Sequence, residues 1–78
     1  MFLEIITPDK KIFSGEVSLV QLPGTDGSFE ILKNHAPIIS TLSKGKIKII
    51  NLEKATQFFD INSGVVEVQK NKIIVLAE

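Results

Sequence analysis

The 78-residue chain contains no cysteine, tryptophan or tyrosine, and only one histidine and one methionine. Without cysteine it can form neither a disulfide framework nor a thiolate metal site. Basic and acidic residues number nine each, so the formal net charge is zero. Nucleic-acid-binding proteins usually need a basic excess to displace counterions from phosphates, so the composition argues against nucleic acid as a partner. No apolar run approaches the roughly 20 residues of a transmembrane helix.

The chain consists mainly of short segments rich in Ile, Val, Leu, Phe and Thr, separated by turn residues that include five glycines and three prolines. This pattern is typical of strands rather than helices. We therefore expect an all-β fold, a two-sheet β-sandwich or flattened barrel of about nine to ten short strands, in one domain covering residues 1–78. The predicted strands include Phe2–Thr7, Lys11–Phe13, Glu16–Leu22, Ser28–Leu32, Pro37–Leu42, Lys46–Ile50, Ala55–Ile61, Val65–Gln69 and Lys72–Leu76.

The glycine-containing segment Gly24–Gly27 invites comparison with a phosphate-binding loop. Such a loop needs more glycine, a Lys-Ser/Thr ending and a following helix whose N–H groups point at the anion. Here the next residues, from Ser28, have the character of a strand. We therefore predict a turn that uses glycine for its backbone freedom, with no nucleotide site.

His35 is the only histidine, and no cluster of His, Asp or Glu at ligand spacing surrounds it. One histidine alone does not make a metal site, and a catalytic base needs a nucleophile or an orienting carboxylate beside it. The acidic residues are spread evenly along the chain, with no pair arranged for acid–base chemistry. We predict no catalytic residues, no metal and no cofactor, and interpret His35 as a loop residue that bonds locally or meets a partner.

Two patterns concern the surface. Lys44, Lys46 and Lys48 recur at intervals of two, which places them on one face of a strand. We interpret them as the charged guard of an exposed edge strand, with an anion-binding stripe as the alternative. Phe58 and Phe59 are adjacent, so they point to opposite faces of a strand and one of them is a candidate contact residue, as are the rim residues Ile38–Ile39.

Four segments, read together, resemble the epsilon subunit of F-type ATP synthases. The segment with the strongest likeness is Leu22–Pro37, whose core reads GTDGSFEILKNHAP. The others are the opening ITPD followed by IFSGEV, then Leu42 with Gly45-Lys46-Ile47, and the closing GVVEV with NKIIVLAE. The four occur in the family's order and span essentially the whole chain.

The resemblance implies a two-sheet β-sandwich and a non-catalytic role. The implied role is that of a rotor subunit that sits on the gamma subunit and the ring of membrane c subunits. This subunit couples proton-driven rotation of the ring to ATP synthesis. It implies a peripheral location at the bacterial inner membrane, on the cytoplasmic side. At Ser28 some relatives carry a glutamate that faces a c-ring loop. The residues that it implies as gamma or c-ring contacts are Gly24, Asp26, Gly27, Ser28, His35, Ala36 and Pro37.

Most members of this family continue past the position of Glu78 into a helical hairpin that can inhibit ATP hydrolysis and that binds ATP in some of them. We expect this chain to be the β-sandwich domain with no C-terminal helical hairpin, and hence without that arm or an ATP site. We also expect it to be a monomer when isolated. The alternatives are a lipoyl- or biotinyl-type carrier domain, which would need a modifiable lysine in a hairpin-tip motif that Lys70 and Lys33 lack, and a small oligonucleotide-binding barrel.

Overall fold

The computed structural model describes all residues from Met1 to Glu78 and contains eight strands and no helix. All strand pairs are antiparallel except the pair formed by the first and last strands, which is parallel. Having no helix, the structure contains no helical segment that could span a membrane. The strands are β1 (Phe2–Ile6), β2 (Lys11–Gly24), β3 (Gly27–Leu32), β4 (Ile38–Leu42), β5 (Gly45–Asn51), β6 (Thr56–Ile61), β7 (Gly64–Gln69) and β8 (Lys72–Ala77).

The strands form two layers that share β2. Sheet one contains the first half of β2, then β1, β8, β7 and β4 in spatial order. Sheet two contains β3, the second half of β2, β5 and β6. A single pairing between Gly24 and Leu42 also joins β2 to β4, so the two layers meet again at this end. The predicted all-β sandwich is confirmed.

The strand count is smaller than predicted because β2 is one strand of 14 residues. The predicted strands Lys11–Phe13 and Glu16–Leu22 leave a break at Ser14-Gly15, but Gly15 lies opposite Leu3 in an unbroken part of the ladder with β1. The change of sheet occurs further along, where the register with β5 shifts between Val17 and Leu19. An irregularity of this kind bends a strand and increases its twist, which lets one strand serve both layers.

The core lies between the layers and is formed by alternate residues of the strands. In β1, for example, Leu3 and Ile5 are fully buried while Glu4 between them is not. No polar or charged side chain is buried. The core residues are Met1, Leu3, Ile5, Val17, Val20, Leu22, Ile31, Leu42, Ile47, Ile49, Ile61, Val66, Val68, Ile73, Val75 and Ala77.

The interpretation of the lysine stripe as an edge guard is wrong. β5, which carries Lys46 and Lys48, pairs with β2 on one side and β6 on the other, so it is an interior strand. Lys44 precedes the strand. The Nζ of Lys46 instead lies 2.8 Å from a carboxylate oxygen of Asp60 on β6. The free edges of sheet two are β3 and β6.

Two tight connections lie in the gaps between the predicted strands. Lys70 and Asn71 join β7 to β8 and have φ angles of 50° and 64°, the left-handed values that a two-residue hairpin turn requires. Between β5 and β6, the Asn51 side-chain oxygen accepts hydrogen bonds from the N–H groups of Glu53 and Ala55. These bonds close the hairpin loop after Asn51, in the gap between the predicted strands Lys46–Ile50 and Ala55–Ile61.

Candidate partner-contact site

The first group of predicted contact residues forms the hairpin between β2 and β3, which we call the turn patch (residues 24–28). Thr25 and Asp26 make the turn, and Gly24 pairs with Gly27 across it. Gly27 has a φ of 129°, a conformation that L-residues rarely adopt. Gly24 is buried, whereas residues 25–28 are exposed. The patch therefore presents Asp26 and Ser28 on a turn whose shape depends on its glycines.

Hydrogen bonds hold the turn patch against the end of β4. The Thr25 N–H donates to the Thr41 carbonyl at 3.2 Å, and the two threonine hydroxyl oxygens lie 2.9 Å apart. The N–H and the hydroxyl of Ser43 both donate to the Pro23 carbonyl, at 2.8 and 3.2 Å. The turn is thus held in place by sheet one, which favours a contact surface of fixed shape.

The second group lies in the connection between β3 and β4, which we call the connector patch (residues 33–37). Every residue in it is exposed. Asn34 has a φ of 67°, and the His35 N–H donates to the Leu32 carbonyl at 3.1 Å, which closes a tight turn. The His35 ring Nδ1 lies 2.7 Å from the Ala36 carbonyl oxygen. This contact orients the ring locally, as predicted for a loop histidine, and leaves the other edge of the ring available to a partner.

The structure does not bring the two patches together. The turn patch precedes β3 and lies beside the end of β4, whereas the connector patch follows β3 and lies at the start of β4. The six residues of β3, at about 3.3 Å each, separate them by roughly 15–20 Å. The predicted contact residues therefore form two separate surfaces, each able to meet a different partner.

Beside the connector patch, Ile39 is 75% exposed and projects from β4, while Ile38 is half-buried. A shallow cleft of about 430 Å³ adjoins it. Its lining is half apolar and is formed by Pro37, Ile38, Ile39, Glu67, Val68 and Gln69. The predicted exposure is confirmed for Ile39 and for one of the two phenylalanines, Phe58, whereas Ile38 is half-buried against the core.

Sequence reasoning missed an apolar row on the outer side of sheet one. Val65 lies opposite Leu76, and Leu76 lies opposite Ile6, so the three side chains are neighbours across β7, β8 and β1. Val65 and Leu76 are exposed and Ile6 is half-buried. Pairs of adjacent apolar residues in the sequence could have revealed this row. Adjacent residues in a strand point to opposite faces, so one residue of each pair faces outward.

A similar row crosses the outer side of sheet two. Leu19 of β2 lies opposite both Leu32 of β3 and Ile50 of β5. Leu32 is exposed, and Leu19 and Ile50 are half-buried. Phe58 lies on the same outer side in β6, opposite Lys48. Each outer face of the sandwich thus carries apolar side chains, as surfaces that contact other proteins commonly do.

The arrangement offers contact surfaces. No group of three His, Cys, Asp or Glu side chains is placed to hold a metal ion. A strand, not a helix, follows the glycine turn, so no helix N-terminus points at an anion there. The strand-paired sandwich and its exposed apolar rows together indicate a small interaction domain.

The chain belongs to the family of the beta-sandwich domain of the ATP synthase delta/epsilon chain, whose family model matches residues 1–78. It is 46% identical over 76 residues to the ATP synthase epsilon chain of Chlorobium limicola, and the alignment covers 97% of this chain and 86% of that relative. The epsilon chain of Caulobacter vibrioides is 38% identical, and its alignment covers 100% of this chain and 90% of the relative. In the Protochlamydia amoebophila epsilon chain, 40% identical, the match spans 52% of the relative.

Solved structures with the same fold come from mitochondrial ATP synthases. A chain in the cryo-EM structure of the Euglena gracilis enzyme superposes with a TM-score of 0.90 at 17% identity, covering 96% of this chain and 48% of that one. A chain of the Tetrahymena thermophila central stalk and c-ring superposes with a TM-score of 0.83 at 19% identity, covering 99% and 62%. The predicted family and fold are confirmed, and neither the carrier-domain nor the oligonucleotide-binding alternative is favoured.

Proposed function

We propose that this chain is a non-catalytic central-stalk subunit of an F-type ATP synthase, which couples proton-driven rotation of the c-ring to ATP synthesis through contacts with the gamma subunit and the c-ring. The observation that carries the proposal is the match to epsilon chains along nearly the whole chain, 46% identical over 97% of its residues. A subunit that transmits torque needs a stiff body, and a sandwich closed by strand pairing on two sides supplies one.

The two patches serve the two partners. The turn patch, with Asp26 and Ser28 at its tip, meets the polar loops of the c-ring. The connector patch, with His35, Ala36 and Pro37 beside exposed Ile39, meets the gamma subunit. Their separation along β3 supports this division, because one surface of the sandwich then faces each partner.

The same proposal includes a cellular location and an oligomeric state. Bound in the complex, the chain is peripheral to the bacterial inner membrane on its cytoplasmic side. When isolated at micromolar concentration, the chain is a monomer. A small domain without buried polar groups folds around its own apolar core, so it does not need the complex to define its fold.

Binding of the purified chain to its cognate gamma subunit tests the proposal. We expect binding at micromolar concentration or below, measured by calorimetry, and His35→Ala to weaken it about tenfold while the thermal unfolding temperature stays unchanged. Glu53→Ala is the control, since Glu53 is also exposed but lies in the loop between β5 and β6, outside both patches. Absence of binding by the unmodified chain would overturn the proposal.

The turn patch is tested separately in reconstituted complexes that contain the c-ring. We expect Asp26→Ala and Ser28→Arg to reduce proton-driven ATP synthesis and leave gamma binding by the isolated chain unchanged. Both positions are exposed, so neither change should alter folding. If these variants weaken gamma binding as much as His35→Ala does, the assignment of one patch to each partner is wrong.

A further inference from the structure

The outer edge of β6 carries unpaired backbone groups. The Asn51 N–H donates to the Ala55 carbonyl at 2.9 Å, so the hairpin between β5 and β6 begins with residue 55 directed at β5. In an antiparallel ladder this direction alternates, so Gln57, Phe59 and Ile61 also bond to β5. Thr56, Phe58 and Asp60 therefore direct their N–H and C=O groups away from β5, beyond the edge of the sheet.

A second contact agrees with this assignment. If residues 51 and 49 of β5 bond to β6, then Ile50 between them must direct its carbonyl at β2. The Ser18 hydroxyl of β2 does donate to the Ile50 carbonyl, at 3.1 Å. The alternation is therefore consistent on both sides of β5.

The β6 edge has little of the protection that sheet edges usually carry. Its sequence, TQFFDI, contains no lysine, proline or glycine. Its six-residue register with β5 runs without a shift, whereas the β1–β2 and β2–β5 ladders each contain one. Phe58, in the middle of the edge strand, is 58% exposed. A regular edge of this kind, with an exposed phenylalanine at its middle, is a template for pairing with another strand.

The edge is complementary to a second copy of itself. A two-fold axis perpendicular to the sheet keeps outer faces together, and the register that places Phe58 opposite Phe58 of the second copy also places Thr56 opposite Asp60. This register uses the outward groups of all three residues on each strand, about six N–H···O=C bonds. Registers shifted by two residues lose part of this set.

The side chains favour the same register. Each Asp60 carboxylate faces a threonine hydroxyl, which can donate to it, rather than the other Asp60. The two Phe58 rings become neighbours on the outer face, with Lys48 of each copy next in the row. Side-by-side aromatic rings are among the favourable cross-strand pairs.

We propose that two copies of this chain pair through their β6 edges, with Phe58 on the two-fold axis, and that sheet two thereby continues across both copies. The interface is one pair of short strands, far below the area of a stable dimer. The dissociation constant is therefore on the order of 0.1–1 mM. The chain stays monomeric at the micromolar concentrations of the proposed assembly, so this inference does not depend on the proposed function.

Sedimentation velocity and two-dimensional amide NMR of the 78-residue chain, from about 20 µM to about 1 mM, test the pairing. We expect the weight-average mass to rise with concentration. The amide signals of Thr56, Phe58 and Asp60 should shift in parallel with that rise, and those of β7 and β8 should not. A mass that stays monomeric over the whole range would overturn the proposal, as would shifts centred on Ile39 or Leu76.

Paired lysine variants provide the control. Phe58→Lys places two ammonium groups opposite each other on the two-fold axis and should weaken association at least about tenfold. Leu76→Lys changes a residue of similar exposure, 55%, on the opposite sheet and should leave association unchanged within about twofold. If both variants weaken association equally, the contact is general apolar adhesion and the β6 pairing is wrong. Should Phe58→Lys fail to fold, Thr56→Pro replaces it, because that change removes only an outward N–H.

Discussion

Phe13 and Phe59 pack edge to face, with ring centroids 5.6 Å apart and ring planes inclined at 61°. Phe13 comes from the part of β2 that belongs to sheet one, and Phe59 from β6, which pairs only with β5 in sheet two. Both rings are half-buried against the core. Their contact therefore joins the two layers on the side of the sandwich where no strand crosses between them.

Truncation of Phe59 should cost far more stability than truncation of its neighbour. Phe59→Ala removes an inward ring and its edge-to-face contact with Phe13, so we expect a loss of about 2–3 kcal/mol in the free energy of unfolding. Phe58→Ala removes an outward ring, and we expect a change within about 0.5 kcal/mol. Urea unfolding at low micromolar concentration measures both. Equal losses would mean that the inward and outward assignments in β6 are wrong.

Gly24 should not tolerate a side chain. A Cβ atom added there would lie 2.6 Å from the Gly27 carbonyl oxygen and 2.8 Å from the Phe29 ring, closer than real contacts allow. Gly24→Ala should therefore open the turn patch and cost about 2 kcal/mol or more, measured by thermal unfolding.

Gly15→Ala is the matched control for that variant, because Gly15 also lies within β2. An added Cβ there meets only the Phe13 ring at 3.5 Å, an ordinary contact. We expect this change to be within about 0.5 kcal/mol of neutral. A similar loss for both variants would indicate a general intolerance of β2 to substitution, rather than a close approach at the turn.

The ion pair between Lys46 and Asp60 should contribute little to stability. Its atoms lie 2.8 Å apart, but the two side chains are 63% and 80% exposed, so water screens their attraction. We expect a coupling energy below about 0.5 kcal/mol in a double-mutant cycle with Lys46→Ala and Asp60→Ala. A coupling above about 1 kcal/mol would show that the pair holds β6 to β5.

The layered β fold follows from residue alternation that is visible in the sequence, and so do the hairpins at Asn51 and at Lys70-Asn71. The long strand β2 does not follow, because Ser14-Gly15 is turn-like in isolation. Only the neighbouring strand β1, with Leu3 opposite Gly15, keeps the chain extended there. Local propensity is overridden by tertiary pairing at such a position.

The position of a strand within its sheet was also invisible to the sequence. The lysines of β5 have the spacing of an edge guard, yet β5 is interior and the unprotected edge is β6. The two contact patches could be named from the resemblance, but their separation could not, because it depends on β4 leaving β3 to pair with β7. Strand order is a global property that periodicity does not encode.

Glu4 should make the stability of sheet one sensitive to acid. The Lys11 ammonium, which bonds the Glu4 carboxylate at 2.6 Å, lowers the pKa of that carboxyl below its ordinary value, with a further contribution from the charge of Lys72. A carboxyl whose pKa is depressed by folding stabilises the fold above its unfolded pKa and loses that contribution as pH falls through the folded pKa. We therefore expect the free energy of unfolding to decrease through the acid range.

Glu4→Gln should remove part of this pH dependence, because glutamine keeps the shape of the side chain without the titrating group. Glu67→Gln is the matched control: Glu67 lies in the same cross-strand row through Ile74 but is exposed and not in an ion pair. Urea unfolding between pH 3 and pH 7, with NMR titration of the Glu4 carboxyl, measures the effect. The prediction is wrong if the two variants show the same pH profile, or if the Glu4 carboxyl titrates at or above the ordinary pKa of glutamate.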